Sequence, residues 1–147
     1  MSREQELLGA AAITAFRLNG QFLDLAEHLA RPAGITAAWW QVLGAVIRDP
    51  LPVSAIAREM GITRQAVQRT ADVLVDRGLA EYRDNPAHRR AKLVAPTEAG
   101  RAAIAAISPQ HLRHARRLAA ALGTDELAET VEAMKRLSKV LESLQRD

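Results

Sequence analysis

The 147-residue chain contains no cysteine. That excludes disulfides, thiolate catalysis, cysteine zinc sites and thiol-based redox sensing. Aromatic side chains make up only 3% of the sequence, while Ala and Leu abound, a balance that favours a mostly helical build. No apolar run is long enough to span a bilayer, so no membrane partner is expected. The run LLGAAAITAF resembles a short signal-peptide core. However, Glu4 and Glu6 precede it where positive charge belongs, and its helical pattern continues beyond it. Export is therefore not expected, and a cytoplasmic address follows. There is no nucleophile turn and no Gly-rich phosphate loop, and Ser, His and acidic residues are scattered. No catalytic residue is expected, and the chain does not read as an enzyme. His111 and His114 stand three apart on one predicted helix, but no acid has ligand spacing to them. Neither a metal nor another cofactor is expected.

What is present is organised around the stretch VSAIAREMGITRQAVQRTADVLVDRGL, from Val53 to Leu79. Val53, Ile56, Ala57 and Met60 fall at helical spacing. Gly61 ends that short helix, because the position after a helix often needs a left-handed backbone that Gly adopts cheaply. Ile62 plugs inward, and Thr63 can cap a second helix by accepting a free backbone N–H. On the second helix Val67, Thr70, Ala71 and Leu74 share one face, and Arg64, Gln65, Gln68, Arg69 and Asp72 share the other. Two helices joined by so tight a turn are a helix-turn-helix, whose second member is built to enter a DNA major groove. Arg can pair bidentately with guanine and Gln with adenine. Arg64 and Gln68 are four apart, as are Gln65 and Arg69, so each pair projects from one side. The alternative is an ordinary solvated face. The Gly and the capping Thr in correct register favour the DNA reading.

Upstream, residues 3–30 form a long amphipathic helix with Leu8, Ala11, Ala15, Leu18, Phe22, Leu25 and Leu29 at spacings of three and four. A stripe this long in so small a chain suggests packing on another subunit. Arg31–Gly34 make a break. Thr36 then caps a helix running to about Arg48 that carries Trp39, Trp40 and Leu43. The tryptophans point roughly 100° apart, so one should enter the core. The other can line a cavity with Phe16, Leu43 and the helix around Ile107–Leu112. Asp49–Pro52 read as a connection. Downstream, Leu79–Arg83 and Lys92–Ala95 suit short strands, and Asn85-Pro86 favours a turn between them. From Arg83 to Lys92, both included, there are four basic residues and one acid, Asp84. Although the net charge is only +3, such a local patch is what phosphates feel. A hairpin with Arg89 and Arg90 near its tip, directly after a helix-turn-helix, reads as a wing that can place Arg in a minor groove. Thr97 caps the next helix, which Pro109 should bend or interrupt. Thr124 caps a last helix with Leu127, Val131, Met134, Leu137, Leu141 and Leu144 in one stripe.

Taken in order, the elements resemble the MarR family of winged-helix transcriptional regulators over nearly the whole chain. The sharpest segments are AIAREMGITRQAVQRTADVLVDRGLAEYR and RRAKLVAPTEAGR, the latter like the family's wing strand followed by a Leu-Thr-x-x-Gly helix start, with Pro96 in place of the Leu. The fold class expected is mainly α with a small β-hairpin wing. It reads as one domain over 1–147, with a DNA-binding lobe at about 36–95 and a dimerisation region at about 3–30 and 97–146. The resemblance implies a homodimer on pseudo-palindromic double-stranded DNA, often released by a small phenolic or lipophilic ligand. The family's wing commonly reads Asp-x-Arg, and here the triplet is His88-Arg89-Arg90. Arg90 matches the minor-groove residue. His88 in place of the acid leaves Arg90 either less well oriented or served by Asp84, and its imidazole could make wing affinity pH-dependent.

The expected function is therefore a homodimeric, sequence-specific repressor. The expected DNA contacts are Thr63, Arg64, Gln65, Gln68, Arg69, Arg89, Arg90 and Lys92. Phe16, Trp39, Trp40 and Leu43 are the candidate effector pocket. The alternative is a ligand-binding or protein-interaction module that keeps this fold without using DNA.

Overall fold

The computed structural model describes residues 1–146. The chain forms two compact units, Met1–Ser108 and the residues from Pro109 on. The first contains α1 (Arg3–Ala30), α2 (Ala37–Val46), β1 (Leu51–Pro52), α3 (Val53–Met60), α4 (Arg64–Asp76), β2 (Ala80–Arg83) and β3 (Leu93–Pro96). It ends within α5 (Glu98–Leu122), and α6 (Thr124–Gln145) belongs to the second.

α1, α2 and α4 each start on a side-chain cap written into the sequence, whereas α3 follows Pro52 without one. Ser2 and Gln5 exchange side-chain and backbone bonds in a capping box at α1. Thr36 accepts the Trp39 N–H at α2 (3.2 Å), and the Glu27 carboxylate of α1 accepts the Ala37 N–H at 2.6 Å. That second bond ties the end of α1 to the start of α2. Thr63 accepts the Ala66 N–H at α4 (3.1 Å). Between α3 and α4, Gly61 takes φ 67°. The Ile62 N–H then reaches back to the Ala57 carbonyl (3.1 Å), which makes the turn as tight as the spacing required.

The sheet has three antiparallel strands in the order β1-β3-β2, with Leu51 opposite Val94 and Tyr82 also opposite Val94. β1 falls where a plain connection was expected. Two residues give no period to read, and Pro52 argues against a strand. Pro52 is tolerated because β1 lies at the sheet edge, where a missing N–H breaks no ladder. One buried cluster joins Val42, Leu43 and Val46 of α2, Ile56 of α3, Val67, Ala71 and Leu74 of α4, and Val94 of β3. A second joins Leu29, Ala30, Ile35 and Ile107. Trp39 packs against both, and Trp40 against the second. Both rings are half-buried, so neither tryptophan alone takes the core position expected for one of them.

The segment Thr97-Glu98-Ala99-Gly100 seats α5. Thr97 donates its N–H to the Leu79 carbonyl (3.1 Å) and its hydroxyl to the Gly78 carbonyl (2.6 Å). The same hydroxyl oxygen accepts the Gly100 N–H (3.1 Å). Gly100 then lies so close to the Leu79 turn that an added Cβ would stand 2.1 Å from the Leu79 oxygen. Only glycine fits there.

Of the bend or interruption expected at Pro109 the interruption does not occur, and the cap expected at Thr124 falls one residue earlier. α5 runs without a break through Pro109. The Ala105 carbonyl loses its helical donor, but Ala105 is exposed, so water can replace the bond. The cap of α6 is Gly123, at φ 96°, and no side chain caps the helix. Thr124 is already its first helical residue, with Asp125 and Glu126 supplying the favourable first-turn charge.

Candidate nucleic-acid interface

α4 buries Val67, Ala71 and Leu74, and this fixes which residues face outward. Arg64, Gln65, Gln68 and Arg69 are all exposed. Beside them, the chain from β2 to β3 folds into two successive turns. The His88 N–H reaches the Asn85 carbonyl (3.2 Å) and the Ala91 N–H the His88 carbonyl (3.3 Å), while the Asn85 side chain accepts the Ala87 N–H (3.0 Å). Arg89 and Arg90 are the two central residues of the second turn, so the backbone places both, exposed, at the wing tip.

Helix and wing share a groove of about 620 Å³, with Arg64, Gln65 and Gln68 on one wall, Arg90 and Lys92 on the other, and Tyr82 between them. Among the described residues, none of Arg64, Arg69, Arg89, Arg90 and Lys92 makes an ion pair. Arg83 does, with Glu81 at 2.8 Å, so it is withdrawn from the basic set. Asp84 makes no ion pair with Arg90 among the described residues, so the suggested replacement for the wing acid does not form. The surface left is a groove lined by three cations, Arg64, Arg90 and Lys92, and one carboxylate, Asp72, a net positive balance suited to a polyanion.

The groove floor holds a polar network that the sequence did not announce. Gln68 donates through Nε2 to Asp72 Oδ1 (3.0 Å) and to the Tyr82 hydroxyl (2.9 Å), and that hydroxyl donates in turn to the same Asp72 oxygen. Burial, followed by the hydrogen bond and charge of Asp72, pushes the Tyr82 phenol from 10.0 up to about 12. It therefore stays protonated at neutral pH. Asp72 was visible on the outward face of the helix. Tyr82 was missed, and the signal available was that it is the one tyrosine in the chain, placed on the strand that follows the helix-turn-helix.

The other expected residues divide. Thr63 spends its hydroxyl oxygen on the Ala66 N–H. Arg69 and Arg89 are exposed but lie off the groove walls. Of the suggested effector pocket, Trp39 and Leu43 meet at the first cluster, with Leu43 fully buried. Trp39 also carries the Arg77 guanidinium over its ring, 5.8 Å from the centroid. Phe16 joins neither cluster and is 75% exposed on α1.

A helix-turn-helix whose second helix shares a basic groove with a hairpin defines a winged-helix regulator of transcription. Residues 33–91 match the MarR family. An uncharacterized protein of Mycobacterium tuberculosis is 39% identical over 128 residues, which cover 87% of this chain and 90% of that protein. Among solved structures, the transcriptional repressor CouR bound to a 23-mer DNA duplex is 28% identical with a TM-score of 0.73, covering 94% of this chain and 96% of that one. CouR from Rhodococcus jostii bound to p-coumaroyl-CoA is 20% identical with a TM-score of 0.76, covering 87% and 91%. The chain belongs to the MarR family of winged helix-turn-helix transcriptional regulators.

Proposed function

We propose that the chain is a homodimeric, sequence-specific repressor that binds a pseudo-palindromic operator and is released by a small lipophilic or phenolic ligand. The observation that carries the DNA reading is the shared groove, which Arg64, Arg90 and Lys92 line and where, among the described residues, none of the three makes an ion pair, the one carboxylate of the lining, Asp72, being engaged with Gln68 and Tyr82. In this reading α4 enters a major groove, and the wing tip reaches the flanking minor groove. Residues 36–95 act as the reading lobe, and 3–30 with 97–146 join two copies. The joining is supported by the apolar side chains that α1 and α6 leave in solvent, among them Leu8, Phe22, Leu137 and Leu141. Ligand release is supported by the CouR complex with p-coumaroyl-CoA and by two half-buried tryptophans against the second cluster. The protein acts in the cytoplasm and carries out no catalysis.

A mobility shift with the DNA upstream of its own gene, repeated at rising salt, tests the first part. A retarded, salt-sensitive band is the expected outcome. The absence of any band at low ionic strength removes the DNA reading and leaves a ligand-binding module. Tryptophan fluorescence titrated with phenols and aromatic acyl thioesters tests the second part, and a flat response across the panel removes the effector.

A further inference from the structure

The two wing-tip arginines stand differently toward the groove that helix and wing share. Arg90, Ala91 and Lys92 form its wing wall, across from Arg64, Gln65 and Gln68 of α4. Arg89 is exposed and lies off that wall. The difference belongs to the backbone and not only to rotamers. Ala91 has no side-chain freedom, yet it lines the groove with the residues on either side of it. The turn that brings it there is closed by the Ala91 N–H on the His88 carbonyl (3.3 Å). Arg89 is the first central residue of that turn and Arg90 the second.

In B-DNA the major groove is about 12 Å wide and the minor groove about 6 Å, and one sugar–phosphate strand divides each from the next. A protein that sets a helix in the major groove and a hairpin in the flanking minor groove must straddle that strand. The space between α4 and the wing is where the strand has to run. A wing residue on the wall toward α4 therefore meets phosphates, and one off that wall is free to enter the minor groove. We propose that Arg90 and Lys92 grip the strand that runs through the groove, and that Arg89 is the side chain that enters the minor groove. The inference rests on the DNA-binding reading above, and it moves to Arg89 the role that the family resemblance gives to Arg90. Arg89 makes no ion pair among the described residues, so no internal bond is lost when it inserts. The minor groove narrows over A·T-rich segments and its negative potential deepens there, whereas a G·C pair puts the guanine N2 amino group into it. Arg89 therefore gives the protein a preference for A·T pairs beside those that α4 reads.

Enrichment of duplexes from a randomised pool, read by sequencing, tests this with the full-length protein. The wild type should favour A·T over G·C in the flanking segment by about fivefold, the low end of what one base pair contributes. Arg89→Ala should lose that preference and keep the base profile at the pairs read by α4. Arg90→Ala and Lys92→Ala should keep both profiles, and each should lower the salt slope by about one. Inosine separates the two faces of the flanking pair. An I·C pair lacks the N2 amino group, so it resembles A·T in the minor groove and G·C in the major groove. A flank of I·C pairs should bind the wild type like A·T, and Arg89→Ala should bind all three flanks alike. Loss of the flanking preference in Arg90→Ala, or its survival in Arg89→Ala, overturns the assignment. So does a wild type that treats I·C like G·C, has no flanking preference, or keeps its salt slope in Lys92→Ala. A wild type that enriches no sequence at all removes the DNA-binding reading as well, so the two failures are told apart.

Discussion

The lobe made of α2, α3, α4 and the sheet buries most of its large apolar side chains, whereas α1 and α6 leave many of theirs in water. Leu43, Ile56, Leu74 and Val94 are fully buried. On α6, Leu137 is 46% and Leu141 42% exposed, and on α1 Leu8 is 64% exposed. All of these residues sit at helical or strand periods that the sequence spells out equally well. The difference lies in what each element meets. The lobe closes a core from its own short elements, each fully buried large side chain stabilising it by about 1.5–3 kcal/mol. The long helices carry stripes that one copy of the chain does not cover. Periodicity therefore tells which face of an element is apolar, but not whose apolar face will meet it.

The sharpest way to break this comparison is to charge the uncovered stripe. Leu137→Glu with Leu141→Glu should leave the lobe folded but give a monomer in sedimentation equilibrium. Binding to a two-half-site operator should fall by about a hundredfold or more, because the second half-site is no longer delivered by the same particle. If the double variant still sediments as a dimer, α6 is not the joining surface.

The two regions should also answer differently to a methyl group. At Gly100 a Cβ would meet the Leu79 carbonyl at 2.1 Å, a backbone atom that already accepts the Thr97 N–H. Gly100→Ala should cost about 3 kcal/mol, the upper end of overpacking costs, and lower the urea midpoint accordingly. At Gly9, on α1, a Cβ meets nothing within 4 Å. Gly9→Ala should raise stability by about 0.5–1 kcal/mol through helix propensity alone. Equal effects would mean that the close seat of α5 does not persist in solution.

These contrasts bear on how much could be read in advance. The helix-turn-helix was legible because each part of it is local: an αL glycine at 61, a capping Thr63 and an apolar face repeating through Val67, Ala71 and Leu74. The wing was legible from Asn85-Pro86 and the paired arginines. β1 was not, since two residues that include a proline become a strand only when β3 arrives beside them. The continuity of α5 through Pro109 depends on solvent reaching a single carbonyl, which no residue pattern reports. Thr124 looked like a cap by type, but Gly123 takes the non-helical backbone and the role with it. Least visible was the Gln68–Asp72–Tyr82 network. Its first two members are four apart on one helix and could be paired in advance, but Tyr82 lies on another element, so its partners are set by tertiary placement.

Within the interface itself, helix and wing should be separable. Arg90→Ala, at the wing tip, should weaken binding to all sequences and lower the salt slope by about one. Arg64→Ala should cost about 1–3 kcal/mol at particular base pairs and leave binding to random DNA nearly intact. Competition assays with specific and random duplexes separate the two. Equal losses on both kinds of DNA for Arg64→Ala would show that α4 touches phosphates only.

The smallest expected effect is also the most direct view of the groove floor. Tyr82 is the single tyrosine of the chain, so ultraviolet titration of phenolate follows it alone. Its folded value is raised from 10.0 to about 12, which favours the protonated phenol in the folded state. The resulting stabilisation is complete below pH 10, where the unfolded chain also keeps its phenol neutral. It is lost as the pH rises through the folded value, because the unfolded chain releases that proton first. The wild type should show little phenolate at pH 11, and urea-unfolded protein should be largely ionised there. Asp72→Ala should move the folded midpoint only part of the way back, since burial is the largest cause of the shift and Asp72 the second. A wild-type midpoint at the unfolded value would mean that the phenol stands in open water, without the Asp72 carboxylate beside it.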